Sequence, residues 1–288
     1  VSETAGTAAG PSWLRPGQGY RALVVAHRGA SAEAPENTLA AFRLALQQGA
    51  PAVECDVHLS ADGYPVVIHD ETVDRTTNGK GAVGGLTRAA LQGLDAGSWR
   101  GPRFAGEPIP TLEETLELCA GRARLFIEIK PGGAARAGRP QAGWPRETQA
   151  ERAHLVDATL EAVARAPRTE VAVISFDPEV VGLVAGRRPD LPLGLLWGFR
   201  GALGRRPEAL LQQAARLGAG FAAPHHSLVD RAFVGAAREA GLPVSVWTVD
   251  DAPRMRALVD LGVQGLTTNR PDLALLECRL REQEQEQE

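Results

Sequence analysis

Thiols are scarce in this chain, and long apolar runs are missing. Its 288 residues include three cysteines, Cys55, Cys119 and Cys278, an odd number set far apart. That spacing argues against a disulfide framework and against a thiolate metal site. Each cysteine reads instead as a small apolar residue. No stretch approaches the ~20 apolar residues of a membrane span, so no span is expected. The opening VSETAGTAAGPSWLRPGQGY lacks a basic segment followed by an apolar one and does not read as an intact secretory signal, which makes a cytoplasmic location the expectation. Positive charge is not in excess either. A formal net charge of -4 gives no global attraction to nucleic acid or anionic lipid, and no nucleic-acid partner is expected. Binding of an anion would have to come from a local basic cluster.

Apolar residues make up 44% and charged residues 23%, an ordinary balance for a chain with a packed core. Eight short apolar runs recur: 22–27, 52–57, 124–130, 171–176, 191–197, 220–225, 243–249 and 263–269. They read as parallel strands buried on both faces. Amphipathic stretches lie between them, at 38–48, 111–120, 147–166, 178–186, 207–217, 230–240 and 251–261. Asn37-Thr38 and Thr111 stand where helices start; Gly49, Gly218, Gly241 and Gly262 stand where they stop. Strand and helix in alternation predict a single α/β TIM (β/α)8 barrel over residues 21–280. The rival is an open doubly wound sheet, but no glycine-rich dinucleotide loop opens a helix. Residues 1–20 read as a flexible lead-in and 281–288 as a charged tail. Asp62-Gly63 marks a hairpin that folds PVVIHD back along the second strand. Residues 71–110, glycine-rich and too long for an ordinary connection, are expected to form a small cap inserted after that strand. A second irregular stretch, 131–146, is expected as a flexible loop at the same end.

Glu54 and Asp56 are two apart in a strand, so both carboxylates share a face. Side by side they repel unless a cation or a shared proton intervenes. Glu128 interrupts an apolar run in the third strand, an unusual place for a carboxylate without a partner. The three suit an oxygen-rich site for one divalent cation, Mg2+ or Ca2+. Salt bridges to nearby bases such as Lys130 would account for them equally well. His27 ends the first strand beside Arg28, and His69 ends the hairpin return. Two imidazoles can divide the taking and giving of a proton, while Arg28 and Lys130 offer charge to phosphate oxygens. Among weaker candidates, Trp247 reads either as a wall of the pocket or as core filler, and Phe176 and Trp197 as further wall residues. Glu36 is expected to steady Arg28, Asn37 or Thr38 to cap the first helix, and His58 to sit above the site. His225 and His226 follow the sixth strand and read first as surface or structural residues, with reach of one to the barrel mouth as the alternative.

AHRGASAEAPENTLAAF, VECDVHLSADGYPVVIHDETVDRTTNGKG, FIEIKP, SVWTVD and TTNRPD together resemble the glycerophosphodiester phosphodiesterase family, in particular its short bacterial members. The resemblance spans nearly all of 23–275, and the ordered set HR, PENT, ExD, HD and EIK is specific to it. It implies a TIM barrel with an inserted cap and metal-dependent hydrolysis of glycerophosphodiesters to glycerol 3-phosphate and an alcohol. Position by position it implies Glu54, Asp56 and Glu128 as metal ligands, His27 and His69 as the acid/base pair, and Arg28 and Lys130 as phosphate-binding groups. Trp247 falls in the family's WTV motif, against the glycerol moiety. The loop after Lys130 departs from the pattern, being longer and richer in Arg, Gly and Ala. Alternatives are a lysophospholipase D-like enzyme and a barrel that binds phosphodiesters without turnover.

Overall fold

The computed structural model describes residues 12–17, 19–131, 149–198 and 205–285. Among the described residues nine strands form one sheet: β1 Leu23–His27, β2 Ala52–Leu59, β3 Pro65–Val67, β4 Arg124–Ile129, β5 Val171–Ser175, β6 Leu193–Trp197, β7 Phe221–Pro224, β8 Ser245–Val246 and β9 Gly265–Thr268. All but β3 run parallel in the order β7-β6-β5-β4-β2-β1-β9-β8, and parallel bridges Ala222–Val244 and His225–Trp247 bring β7 against β8 to close the ring. This is the predicted (β/α)8 barrel, with helices on its outside. Each expected strand is present; most are one to three residues shorter than the apolar run, β2 extends two residues beyond it to Leu59, and β8 is reduced to Ser245–Val246.

Alternation along the strands sorts side chains into two layers. Val24, Ala26, Val53, Cys55, Leu125 and Ile127 point outward and pack under the helices. Leu23, Val25, Ala52, Phe126, Ala172, Ile174, Leu196, Phe221 and Ala223 point inward and fill the barrel. Cys55, Cys119 and Cys278 are all buried. Among the described residues no helix is long and apolar enough to cross a membrane.

The expectation of a flexible lead-in over 1–20 needs correction near its end. Ser12–Leu14 form a 3-10 turn that closes the floor of the barrel: Leu14 is buried, and Trp13 meets Phe126 edge-on at 4.4 Å. Arg124 holds the turn by donating to the carbonyls of Trp13 and Arg15. The physical reason is the uncovered apolar end of the barrel, which a Trp-Leu pair can fill though it carries no periodicity of its own. At the other end of the chain, Pro271–Gln285 is helical, so the charged tail begins as a continuation of the last helix. The hairpin forms as the Asp62-Gly63 pair requires, with Val57 opposite Val67 and Leu59 opposite Pro65. Residues 71–110 contain only short elements, Val83–Gly85, Arg88–Gln92 and Pro102–Phe104, over a small apolar cluster of Val66, Ile68, Val73, Val83, Leu91, Ala96 and Ile109. Most of the expected loop at 131–146 lies outside the described residues.

Candidate active site

Strand register brings the predicted acids together at the carboxyl-terminal end of the barrel, where this fold builds its sites. His27 pairs with Glu54 across β1 and β2, and Asp56 pairs with Glu128 across β2 and β4. Because inward positions alternate, Glu54 and Asp56 rise above Ala52, and Glu128 above Phe126. Ligand oxygens of the three buried carboxylates lie within 4.8 Å of one another. His27, Glu54, Glu128 and Trp247 all line one cavity that reaches down to Phe126 and Phe221, with an empty volume of about 360 Å³.

The bases interleave with the acids. Lys130 Nζ lies 2.5 Å from Glu128 Oε1 and 3.1 Å from Asp56 Oδ1. Arg28 Nε lies 3.0 Å from Asp56 Oδ2, its Nη1 donates to Glu36 at 2.8 Å, and its backbone N–H donates to Glu54 Oε2 at 2.9 Å. Arg28 reaches these partners from a left-handed backbone, φ 56°, and Asn37 shares that conformation at φ 57°. Such non-glycine residues cost of order 1–3 kcal/mol and persist only where the surroundings over-determine them. Here Asn37 donates from its backbone to the Arg28 carbonyl, and its amide both donates to Asp56 Oδ2 at 2.7 Å and accepts from the Asp56 N–H. Thr38, not Asn37, therefore caps the first helix, accepting from Ala41 N–H. Glu36 steadies Arg28 as expected.

Burial, then Asp56 and Glu128, push the Glu54 carboxyl well above the usual range, while Glu128 is raised by burial against the pull of Lys130. Asp56 is equally buried, yet Lys130 and Arg28 outweigh that cost and hold it well below its ordinary value. His27 is lowered to about 4 by burial and by Arg28. His69 is lowered by burial, opposed by Asp70, whose Oδ1 lies 2.6 Å from its Nδ1. Asp70 is itself gripped by Arg75, which also forks onto Glu36 at 2.8 and 2.9 Å. An unbroken ionic chain thus runs from Arg28 through Glu36, Arg75 and Asp70 to His69.

A divalent cation fits this donor set. All its donors are oxygen, the kind hard cations take. Glu54 Oε1 is buried without a hydrogen-bond partner among the described residues, an arrangement that is costly unless something positive answers it. Three carboxylates against Arg28 and Lys130 leave a formal 2 − 3 = −1. Salt bridges do form, as the alternative reading requires, but two cations against three carboxylates leave one charge for a proton or a metal ion to answer.

Not every predicted wall residue belongs here. Trp247 does: its indole N–H donates to the Ala223 carbonyl at 2.8 Å, and Phe176 and His225 meet it edge-on, each at 5.2 Å. Trp197 does not, because it has the opposite parity to Leu196 and is buried under the helices against Phe233. His58 follows Asp56 on the same face of β2 and is buried, its Nε2 3.1 Å from the His69 carbonyl, with burial lowering its pKa to about 4. Sequence reasoning passed over Asp70, Arg75, Ser31, Asp250 and Asn269. Their motifs, AHRGAS, HDETVDR, WTVD and TTNRPD, were legible; which atoms they join was not.

Comparison with known proteins agrees with this geometry. The sequence profile of the glycerophosphoryl diester phosphodiesterase family matches residues 27–273. A glycerophosphodiester phosphodiesterase from Caldanaerobacter subterraneus subsp. tengcongensis is 36% identical over 254 residues, covering 88% of this chain and 96% of its own. One from Bacillus subtilis is 33% identical over 261 residues, covering 88% of this chain and 85% of its own. An Oleispira antarctica phosphodiesterase, solved in complex with the product sn-glycerol-3-phosphate, superposes with a TM-score of 0.77 at 29% identity, covering 88% of this chain and 95% of that one. Carboxylate trio, barrel and sequence profile agree, and the chain belongs to the glycerophosphoryl diester phosphodiesterase family.

Proposed function

We propose that this enzyme hydrolyses glycerophosphodiesters to sn-glycerol 3-phosphate and an alcohol, with one divalent cation, Mg2+ or Ca2+, held by Glu54, Asp56 and Glu128. The observation that carries the proposal is charge: the trio's formal excess of −1 becomes +1 with a divalent ion, the complement of a phosphodiester monoanion. When bound, such an ion polarises a phosphoryl oxygen as a Lewis acid. Arg28 and Lys130 turn part of their charge toward the non-bridging oxygens, completing a preorganised clamp. His27 and His69 exchange protons at Nε2: one imidazole accepts the proton of the attacking hydroxyl or water, and the other donates one to the departing alkoxide. Each ring is anchored through Nδ1, to Asn269 and Asp70 respectively. Trp247 forms a wall for the glycerol moiety. Residues 71–110 act as a cap. Arg100 and Arg103 from that segment donate to the carbonyls of Ala32 and Glu33 beside the mouth, and Arg75 reaches Glu36.

The test is release of glycerol 3-phosphate and choline from glycerophosphocholine, abolished by EDTA and restored by Mg2+ or Ca2+. Lysophosphatidylcholine run in parallel separates a lysophospholipase D. Turnover of neither substrate with either metal refutes the proposal.

A further inference from the structure

The ring of His27 is held from behind by residues at the ends of two other strands. Its Nδ1 lies 2.7 Å from Oδ1 of Asn269, just past β9. Asn269 places its amide nitrogen 2.6 Å from Oδ2 of Asp250, in the segment that follows β8. The other oxygen of Asp250 accepts from the Asn269 backbone N–H at 2.8 Å and from the Thr268 hydroxyl at 3.0 Å, so the carboxylate is fixed on both sides.

Donor and acceptor chemistry orders the protons along this chain. An ionised carboxylate only accepts, so the Asn269 atom facing Asp250 is the amide nitrogen and the carbonyl oxygen faces His27. An amide oxygen also only accepts; Nδ1 of His27 therefore carries the ring hydrogen, and Nε2 of the neutral ring keeps its lone pair. The remaining neighbour does not decide the matter. Ser31 Oγ lies 2.8 Å from both Asn269 Oδ1 and the His27 carbonyl, and with one proton it suits either orientation of the amide. Asp250 breaks the tie.

We propose that Asp250 and Asn269 are positioning residues that fix the tautomer of His27, presenting the Nε2 lone pair to the site beside Glu54, whose Oε2 is 4.0 Å away. The catalytic consequence rests on the proton-transfer role given to His27 above; the tautomer itself does not. Asp250→Asn removes the directing charge. The Asn269 amide then turns, offers N–H to Nδ1 and drives the ring hydrogen to Nε2. Asn269→Asp alone sets two carboxylates at hydrogen-bond distance. The double exchange Asp250→Asn/Asn269→Asp restores direction, because the amide at the first position donates to the carboxylate at the second, which again accepts from Nδ1.

Imidazole 15N shifts of His27, measured in metal-free protein at neutral pH and assigned by their loss in His27→Gln, read the tautomer directly. The expected pattern is hydrogen on Nδ1 in the wild type, on Nε2 in Asp250→Asn, and on Nδ1 again in the double exchange. Activity should follow: kcat falls about a hundredfold in Asp250→Asn with KM little changed, and returns in the double exchange to within about tenfold of the wild type. Hydrogen on Nε2 in the wild type, or an unaltered tautomer in Asp250→Asn, overturns the inference. A tautomer that switches as described in a protein that cleaves no glycerophosphodiester supports it and removes the functional reading instead.

Discussion

Glu54→Gln should make the metal-free protein more stable while destroying its activity. The Glu54 side chain is 2% exposed, accepts one hydrogen bond from the Arg28 N–H, and leaves Oε1 without a partner among the described residues. Burial and two neighbouring carboxylates raise its pKa well above the ordinary range. The sign follows from linkage. A group whose folded-state pKa is raised contributes stability below its unfolded pKa, near 4.5, and loses it as pH rises through the folded value. At pH 8 the wild-type carboxylate is therefore a liability that the neutral amide lacks. A buried group left unsatisfied costs about 1–3 kcal/mol, more when charged. With roughly 2–4 °C per kcal/mol for chains of this size class, the metal-free melting temperature of the variant should rise by about 2–12 °C. Metal acts against this ranking. At a hundred times its Kd, an ion that binds only the folded state stabilises the wild type by about 2.7 kcal/mol, and the variant, short of one ligand, responds weakly. Differential scanning calorimetry at pH 8 with EDTA, then with Mg2+ or Ca2+, reads both effects. A variant that melts lower than wild type in EDTA and keeps the full metal response would show Glu54 to be a framework salt-bridge partner.

Lys130→Met leaves Asp56 and Glu128 buried together without their ammonium. Breaking a buried pair this way should cost about 3–5 kcal/mol in urea denaturation of the metal-free protein, and a change under 1 kcal/mol would contradict the ion-pair reading. His69→Gln should lower kcat by about 10²–10⁴ with the metal-induced rise in melting temperature intact; full activity would exclude the paired-imidazole scheme. His58 is held neutral down to about 4, whereas the unfolded chain takes up its proton near 6.5. The stability this group contributes is thus present above 6.5 and lost as pH falls toward 4, so the advantage of wild type over His58→Gln should shrink across that window in chemical denaturation. Gly29→Ala would set a Cβ 2.5 Å from the Ala41 carbonyl carbon at a φ of +82°. It should cost about 2–5 kcal/mol from overpacking and left-handed strain together, a loss that a melt within 1 °C of wild type would contradict.

The barrel could be read from the sequence because parallel strands buried on both faces leave plain apolar runs, and inter-strand helices leave an equally plain stagger. The ligand candidates could be read for a related reason. Glu54, Asp56 and Glu128 are charges written into strands that should carry none, and period-two alternation already puts the first two on one face. What could not be read was contact between distant segments. Trp13 and Leu14 carry no periodicity, and only the open floor of the barrel explains their burial. Trp197 and Leu196 are both apolar and adjacent, so parity within β6 decides which faces inward, and register fixes it. Asn37 could cap a helix or bind a carboxylate; the left-handed turn at Arg28 and Asn37 selects Asp56. Asp250 and Asn269 lie in segments joined only by strand order, and their link to His27 exists only once β9 lies beside β1.

The most direct measurement is a crystal structure grown with Mn2+ and glycerol 3-phosphate, with the ion located by its anomalous scattering. The account predicts one ion bonded to carboxylate oxygens of Glu54, Asp56 and Glu128, with phosphate oxygens between it, Arg28 and Lys130, and both imidazoles facing the phosphorus. An ion elsewhere in the barrel, or a phosphate bound away from His27 and His69, would contradict it.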